Sequence, residues 1–334
     1  MANSQLTVQK RRAWSWALVL GGVFVGGFWA GLAVARDRGL PFLTVRQSPW
    51  SIGIYEGSSP FKFFPAKGVK NPVLTGKDVT DVPAEFVADP FLVREGEGWY
   101  LFFEVMNRKT QQGDIGLATS PDELHWTYQK IVLDEPFHLS YPYVFKGGED
   151  YYLVPESAAA NGVRLYRAQR FPDRWVFVKT LIEGKDYSDP AVIRFGEHWW
   201  LFLTPQWDQD SLHLFYAKNL TGPWLEHPAS PVVRRDGHHA RPGGRFIIHE
   251  GRVIRYAQDV IPVYGHQVHA FEILELTPTT YREQPSKENP VVKSGGAGWN
   301  VTRMHHVSPH PIGRGRWIAA VDGYGTRWEF DWRN

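Results

Sequence analysis

Between residues 89 and 309 the same short event happens five times: a dipeptide ending in proline opens an apolar strand. The pairs are Asp89-Pro90, Tyr141-Pro142, Asp189-Pro190, Arg241-Pro242 and Ser308-Pro309, spaced by 52, 48, 52 and 67 residues. The first three strands run into turns at Gly96–Gly98, Gly147–Asp150 and Gly196–His198 and return as second strands, which is hairpin chemistry. Proline is tolerated because the first residue of a strand need not donate to the ladder. A second recurring hairpin opens at Ile115, Val163, Leu212 and Val268, with Trp126, Trp175 and Trp224 downstream in the first three copies. No fifth copy follows Ser308. It stands instead near the N-terminus, as IGIYEG from Ile52 and NPVLTG from Asn71.

The expectation is an all-β chain, a five-bladed β-propeller over residues 49–334, closed by its N-terminal strands. That gives about 57 residues per blade against the ~40–50 typical of propeller repeats. Ring closure protects the edges that an open sheet would expose. A β-sandwich or two smaller β domains also need strands, but neither calls for a hairpin split between the two ends of a chain. The connection from Tyr281 to Val301 is the least regular stretch and is read as a loop. The 32 glycines and 24 prolines suit many turns, and a formal charge of +2 gives no reason to invoke nucleic acid. The absence of cysteine excludes disulfides, thiolate zinc sites and thiol nucleophiles.

Ahead of the repeats, Ala13 to Ala35 is a run of 23 residues without a charge. About 20 residues cross a bilayer core. Lys10, Arg11 and Arg12 precede the run, which favours a cytoplasmic N-terminus. The expected order is a cytoplasmic tail (1–12), one transmembrane signal-anchor helix (13–35), a linker (36–48) and an exported propeller, single-pass in the membrane. A cleaved signal peptide ending at Ala33-Val34-Ala35 is the rival, and the run is longer than such peptides use.

Residues equidistant from a hairpin turn face each other. This pairs Asp89 with Glu104, Tyr141 with Glu156, Asp189 with Thr204, Arg241 with Gln258 (Asp259 beside it) and Ser308 with about Asp322. Inner strands of a propeller line one channel. The five strand ends therefore predict a single ring of Asp89, Glu104, Tyr141, Glu156, Asp189, Arg241, Gln258 and Asp322. Asp before Pro ordinarily caps a turn, and repeats share positions by ancestry alone. The glutamates do no turn work, however. Two carboxylates that close on each other need a cation, a shared proton or a sugar hydroxyl.

Arg241 and Arg245 suit bidentate contact with an anion, and Trp207, in the loop after blade three, suits stacking on a sugar face. His305-His306 and His238-His239 precede blades five and four, and strand alternation lets one of each pair face the channel. Hydrogen bonding to a ligand is favoured over a metal, and no cofactor is expected. The doublets Trp99-Tyr100, Tyr151-Tyr152 and Trp199-Trp200 are read as packing between blades.

ADPFLV at Ala88, WYLFFE at Trp99, FHLSYPYVF at Phe137, YYLVPES at Tyr151, GPWLEHP at Gly222, RPGGR at Arg241, RYAQD at Arg255 and the His305-His306 pair carry a resemblance. From about Asn71 to His306 the chain resembles the N-terminal domain of glucosamine inositolphosphorylceramide transferases and their bacterial relatives. That domain is in turn similar to the five-bladed arabinanase and invertase glycosidases. The resemblance implies that sugar transfer belongs to a separate C-terminal domain, which this sequence does not include. It also implies a base, a modulator and an acid from the first three blades. Asp89 matches the base, Tyr141 stands where an Asp is expected, and Asp189 stands where the acid would be Glu. Glu104 and Glu156 offer a rebuilt set, since two carboxyls flanking a glycosidic bond are the minimum.

Two readings follow. One is a membrane-anchored propeller that recognises a carbohydrate or glycolipid headgroup, accessory to glycan or glycolipid synthesis and partnered by a separate glycosyltransferase. The other is a glycoside hydrolase or transglycosidase with Glu156 or Asp189 as acid and Asp89 as base. Carboxylates tied to Arg241 would favour binding. A protein-interaction platform would leave the ring acids without a purpose.

Overall fold

A computed structural model describes residues 43–330. The apolar run 13–35 lies outside them, and among the described residues no helix is long and apolar enough to cross a membrane. Gln47–Thr326 forms one compact unit of five antiparallel sheets arranged as blades. Blade one holds the strands Ala84–Glu95, Gly98–Asn107, Gln112–Ser120 and Thr127–Leu133 in that spatial order. Blade two holds Ser140–Gly147, Asp150–Glu156, Gly162–Arg170 and Arg174–Glu183, and blade three holds Tyr187–Phe195, His198–Pro205, His213–Ala217 and Leu225–Glu226. Blade four holds Ile247–His249, Arg252–Asp259, Gln267–Leu276 and Tyr281–Pro285, with Val292–Lys293 also pairing to its third strand. Part of the stretch read as a loop from Tyr281 is therefore a blade's outer strand.

Blade five runs Lys62–Pro65, Leu43–Ser59, Arg316–Phe330 and Val307–Gly313. Its two outer strands come from the N-terminal side and its two inner strands from the C-terminal side, as the displaced hairpin predicts. Apolar seams join successive blades: Phe102 and Leu117 against Val144 and Leu153, Leu165 against Val192 and Leu201, and Ile254 against Ala319 and Val321. The ring closes where Ile52, Ile54 and Ile318 meet Val87, Leu101 and Val105. Burial of such side chains contributes roughly 1.5–3 kcal/mol each, so the closing seam is held by packing as well as by strand pairing. The aromatic doublets do pack between blades, with Tyr100 against Phe171 at 4.9 Å and Phe145 against Trp199 at 5.5 Å. Each recurring tryptophan locks its own turn. The indole N–H of Trp126, Trp175 and Trp224 donates to the carbonyl of Glu123, Pro172 and Leu220 respectively.

The inner strands carry the decisive local feature. In blades one to three the ladder skips the Xaa-Pro pair: Ala88 faces Glu104 and Phe91 faces Phe102. Ser140 faces Glu156 and Tyr143 faces Val154, and Ser188 faces Thr204 and Ala191 faces Phe202. Two residues thus oppose one, which is a β-bulge. The symmetric pairing of Asp89 with Glu104, and its equivalents, is off by one for this reason. Ser308 likewise faces Ala320, not Asp322. At the bulges Asp89, Tyr141 and Asp189 hold φ of 52°, 45° and 49°, the left-handed region that costs a non-glycine residue ~1–3 kcal/mol. The chain bears that strain three times at equivalent positions, and each time it aims one side chain and one freed amide at the axis.

Candidate functional site

The freed amides stitch the ring together blade by blade. Asp89 N donates to Asp322 Oδ2 of blade five at 3.1 Å, Tyr141 N to Asp89 Oδ2 at 3.3 Å, and Asp189 N to Glu156 Oε2 at 3.2 Å. Blade four continues the circuit through side chains. Arg241 Nε and Gln258 Nε2 both donate to Asp189 Oδ2, at 2.5 and 2.8 Å, and Arg241 Nη2 stands 3.9 Å from Glu156 Oε2. Blade five closes it, with the amides of His305 and His306 on Asp322 Oδ1 at 3.1 and 3.0 Å. The ring read from the strand ends therefore exists, and Asp89, Glu104, Glu156, Asp189, Arg241, Gln258 and Asp322 are all buried.

Five carboxyl groups face one guanidinium and two imidazoles here, so they cannot share one protonation state. Burial, with repulsion from Asp189, lifts Glu156 to about 8 despite Arg241. Burial also lifts Asp89 to about 7, opposed by the His305 charge. Glu104 is held well above the carboxylate range by burial and by the charges of Asp89 and Glu156. Burial disfavours the Asp322 carboxylate too, but His305 outweighs it and keeps Asp322 low. His305 is raised in turn, because Asp322 more than offsets desolvation. The pocket thus contains two ion pairs, Asp189–Arg241 and Asp322–His305, beside three carboxyls that favour the neutral, proton-donating form.

Both histidines of the second doublet approach Asp89, His305 Nε2 and His306 Nδ1 each at 3.6 Å from Oδ1. The alternation rule does not apply to them because they precede the strand Val307–Gly313. His305 Nδ1 is 2.7 Å from Asp322 Oδ2, off the line needed for a formed hydrogen bond. Asp89, His305 and Asp322 offer donor atoms that lie within 4.8 Å of one another, so among the described residues these three could hold a cation. His306 is fully buried with neither ring nitrogen partnered, and burial drives its pKa to about 3.

The other expected residues stand differently. Tyr141 has no exposed surface; its hydroxyl donates to Gly244 O and accepts from Gly244 N across the channel, both at 2.9 Å. With Phe91 and His306 packed on it at 4.9 and 5.3 Å, it plugs the channel beneath the acids. Asp259 turns away to a local network, taking hydrogen bonds from Ile261 N and Gln267 Nε2 and lying 3.0 Å from His238 Nδ1. Trp207 is 76% exposed on its loop. Arg245 lies on the far side of the plug, four residues past Arg241.

Three contributors were not anticipated. Tyr264 lies 5.0 Å from the Arg241 guanidinium and 5.2 Å from the His305 ring, and at 36% exposure it forms part of the pocket's mouth. Trp50 stacks on His305 at 4.0 Å. His138 accepts from Gly113 N at Nδ1, which directs Nε2 towards Glu104, 3.6 Å away. Tyr264 comes from a loop between strands, and Trp50 from the blade-five strand just ahead of the recurring IGIYEG string. His138, three residues before Tyr141 in the FHLSYP string, was within reach of the repeat comparison.

A bulged ring of five antiparallel sheets defines a five-bladed β-propeller, with acids gathered at one end of its axis. Solved structures agree on the fold. An exo-1,5-α-L-arabinanase from a bovine ruminal metagenomic library superposes with a TM-score of 0.51 at 14% identity, covering 66% of this chain and 86% of its own. The Bombyx mori GH32 β-fructofuranosidase BmSUC1 does so at 0.51 and 13%, covering 71% and 55%. The family profile described as glucosamine inositolphosphorylceramide transferase 1, N-terminal, matches residues 45–324, and the chain belongs to that family. Glucosamine inositolphosphorylceramide transferase 1 of Oryza sativa subsp. japonica is 37% identical over 92% of this chain. The chain spans 45% of that relative's length.

Proposed function

We propose that the chain recognises a carbohydrate, the headgroup of a glycolipid or a growing glycan, in the ring between Asp89 and Arg241, and acts as an accessory to its synthesis. The observation that carries this reading is the excess of buried carboxyls over cations at one end of the channel. A polyhydroxylated, uncharged ligand can donate to the carboxylates and accept from the neutral acids without adding charge, which few other ligands can do. Tyr264 at the mouth supplies a face for a sugar ring. The pairing of Asp189 with Arg241 occupies the residue that stands in the acid's position, which favours binding over hydrolysis. The relatives' name, a transferase acting in glycolipid synthesis, supports the ligand class, and a separate glycosyltransferase is the natural partner.

The experiment is a glycan-array screen of the full chain, with overnight product analysis on each hit, beside Asp89→Ala and Glu156→Ala. Binding without turnover, weakened in both variants, is the expected result; an array on which nothing binds would sink the reading. One observation favours hydrolysis or transglycosylation as a second reading. Glu156 holds a proton up to about pH 8 beside Asp89, as a general acid requires. Product formed by wild type and lost in both variants would establish it.

Anchoring through 13–35, with the propeller on the exported side, belongs to the same proposal. Resistance of the full chain to carbonate extraction, and protease access to the propeller from the outside, are its tests.

A further inference from the structure

Arg241, Arg245 and Arg255 are all withdrawn from solvent to different degrees, and two of them have counter-ions. Arg241 pairs with Asp189. Arg255 grips both oxygens of Glu283, at 2.8 and 2.7 Å. Arg245 has no carboxylate partner among the described residues. Its Nη2 donates to Leu92 O at 3.0 Å and Val144 O at 2.7 Å, and Nε reaches Ser308 Oγ at 3.4 Å. Phe91 and Tyr143 flank the guanidinium, each at 5.4 Å. These contacts fix the fork while leaving its charge uncompensated. A desolvated cation of this kind is costly unless an anion arrives.

Arg245 lines a cavity of about 210 Å³ at the hairpin-turn end of the channel, together with Arg94, Lys146 and His310. Glu95 also lines it, but Lys146 sits 3.3 Å from both its oxygens and the Tyr151 hydroxyl donates to it. Arg94 lies 5.4 Å over the Trp99 ring and, among the described residues, has no carboxylate partner either. Burial, with the charges of Arg245 and Arg94, keeps His310 neutral, near 4. Two arginines without carboxylate partners among the described residues therefore line one small space. The space is below the ~300–1,000 Å³ of pockets for drug-sized ligands, too small for an oligosaccharide but suited to a compact oxyanion.

We propose that the turn-end cavity is a phosphate site, in which Arg245 and Arg94 bind a phosphomonoester group from the side opposite the acidic ring. Guanidinium forks match tetrahedral oxyanions bidentately, and a dianion balances the two free charges. The phosphate is either free in solution or carried by a lipid headgroup.

The test is a titration of the full chain with inorganic phosphate, followed by phosphorus-NMR line broadening at ionic strength held constant with chloride. Saturable binding is expected in wild type. Arg94→Gln should weaken it about tenfold at an unchanged melting temperature, and Arg245→Lys should weaken it comparably by losing the fork. A response that chloride reproduces would overturn the site, as would an Arg94→Gln variant that binds phosphate like wild type. Displacement of inorganic phosphate by a water-soluble short-chain phosphatidic acid, read by the same line broadening, separates the two sources. Displacement by the lipid at concentrations well below that of phosphate assigns the site to a lipid headgroup. No displacement, with phosphate binding intact, assigns it to soluble phosphate.

Discussion

At one end of the channel Arg241 meets Asp189 and Glu156; at the other, Arg245 meets only backbone carbonyls, the Ser308 hydroxyl and aromatic rings. The two arginines are four residues apart on the innermost segment of blade four, separated by the Tyr141 plug. At the acidic end, charges are matched in pairs and the surplus acids are neutralised by protonation. At the turn end, the charge is held in place by neutral acceptors and stays available. A buried charge with its own partner is part of the architecture, whereas one without a partner is poised for a ligand.

The most severe way to break this contrast acts between the ends. Gly244 holds φ 141° and passes so close to Val307 that a Cβ would overlap the Val307 carbonyl oxygen. Gly244→Ala should abolish cooperative melting, followed by circular dichroism, because it parts blades four and five and removes the Tyr141 anchor with them. Next comes the direct comparison. Arg241→Met strands Asp189 in the interior and should cost about 3–5 kcal/mol. Arg245→Met loses bonds from a charged donor and should cost about 1.5–3 kcal/mol. Urea unfolding of both variants decides it, and equal losses would erase the distinction.

A smaller effect is expected from pH. In the fold, Asp89 and Glu156 keep protons to about 7 and 8 that the unfolded chain has already released. Native protein then binds more protons than unfolded, so stability falls as pH rises from 6.5 to 8. Each such proton is worth about 1.4 kcal/mol per pH unit. His305, raised in the fold, acts in the same direction, its contribution being lost as pH climbs through its folded pKa. His306 and His310, kept neutral by burial, oppose the trend only below about 6.5, where the unfolded chain takes up protons that they refuse. Melting temperatures measured across this range should decline, and Glu156→Gln should flatten the slope. The least effect belongs to Trp207→Ala, which should stay within about 0.5 kcal/mol of wild type. A loss of glycan binding in that variant would extend the site outward to its loop.

The blade count, the split closing blade and most of the acidic ring were legible because the five Xaa-Pro pairs mark equivalent positions. The register at the bulges was not, although in blade four Arg241 does lie opposite Gln258. A bulge adds a residue without a sequence signature when Asp or Tyr, instead of glycine, takes the left-handed conformation. Symmetric counting from the turn therefore placed Asp89 opposite Glu104, one residue out. Tyr141 belongs to the predicted ring, but nothing local shows that Gly244, more than a hundred residues later, presents both an amide and a carbonyl to its hydroxyl. Tyr264 and Trp50 escaped for the opposite reason: Tyr264 lies on a loop between strands and Trp50 just ahead of the IGIYEG copy, so neither has a counterpart of its kind in the other copies.

Trp50 and Tyr324, on the first and last strands of the propeller, sit 5.5 Å apart, and Trp50 lies against His305 at the edge of the acidic ring. The closing blade therefore walls the pocket as well as sealing the ring, so fraying of either strand would loosen the seat of His305.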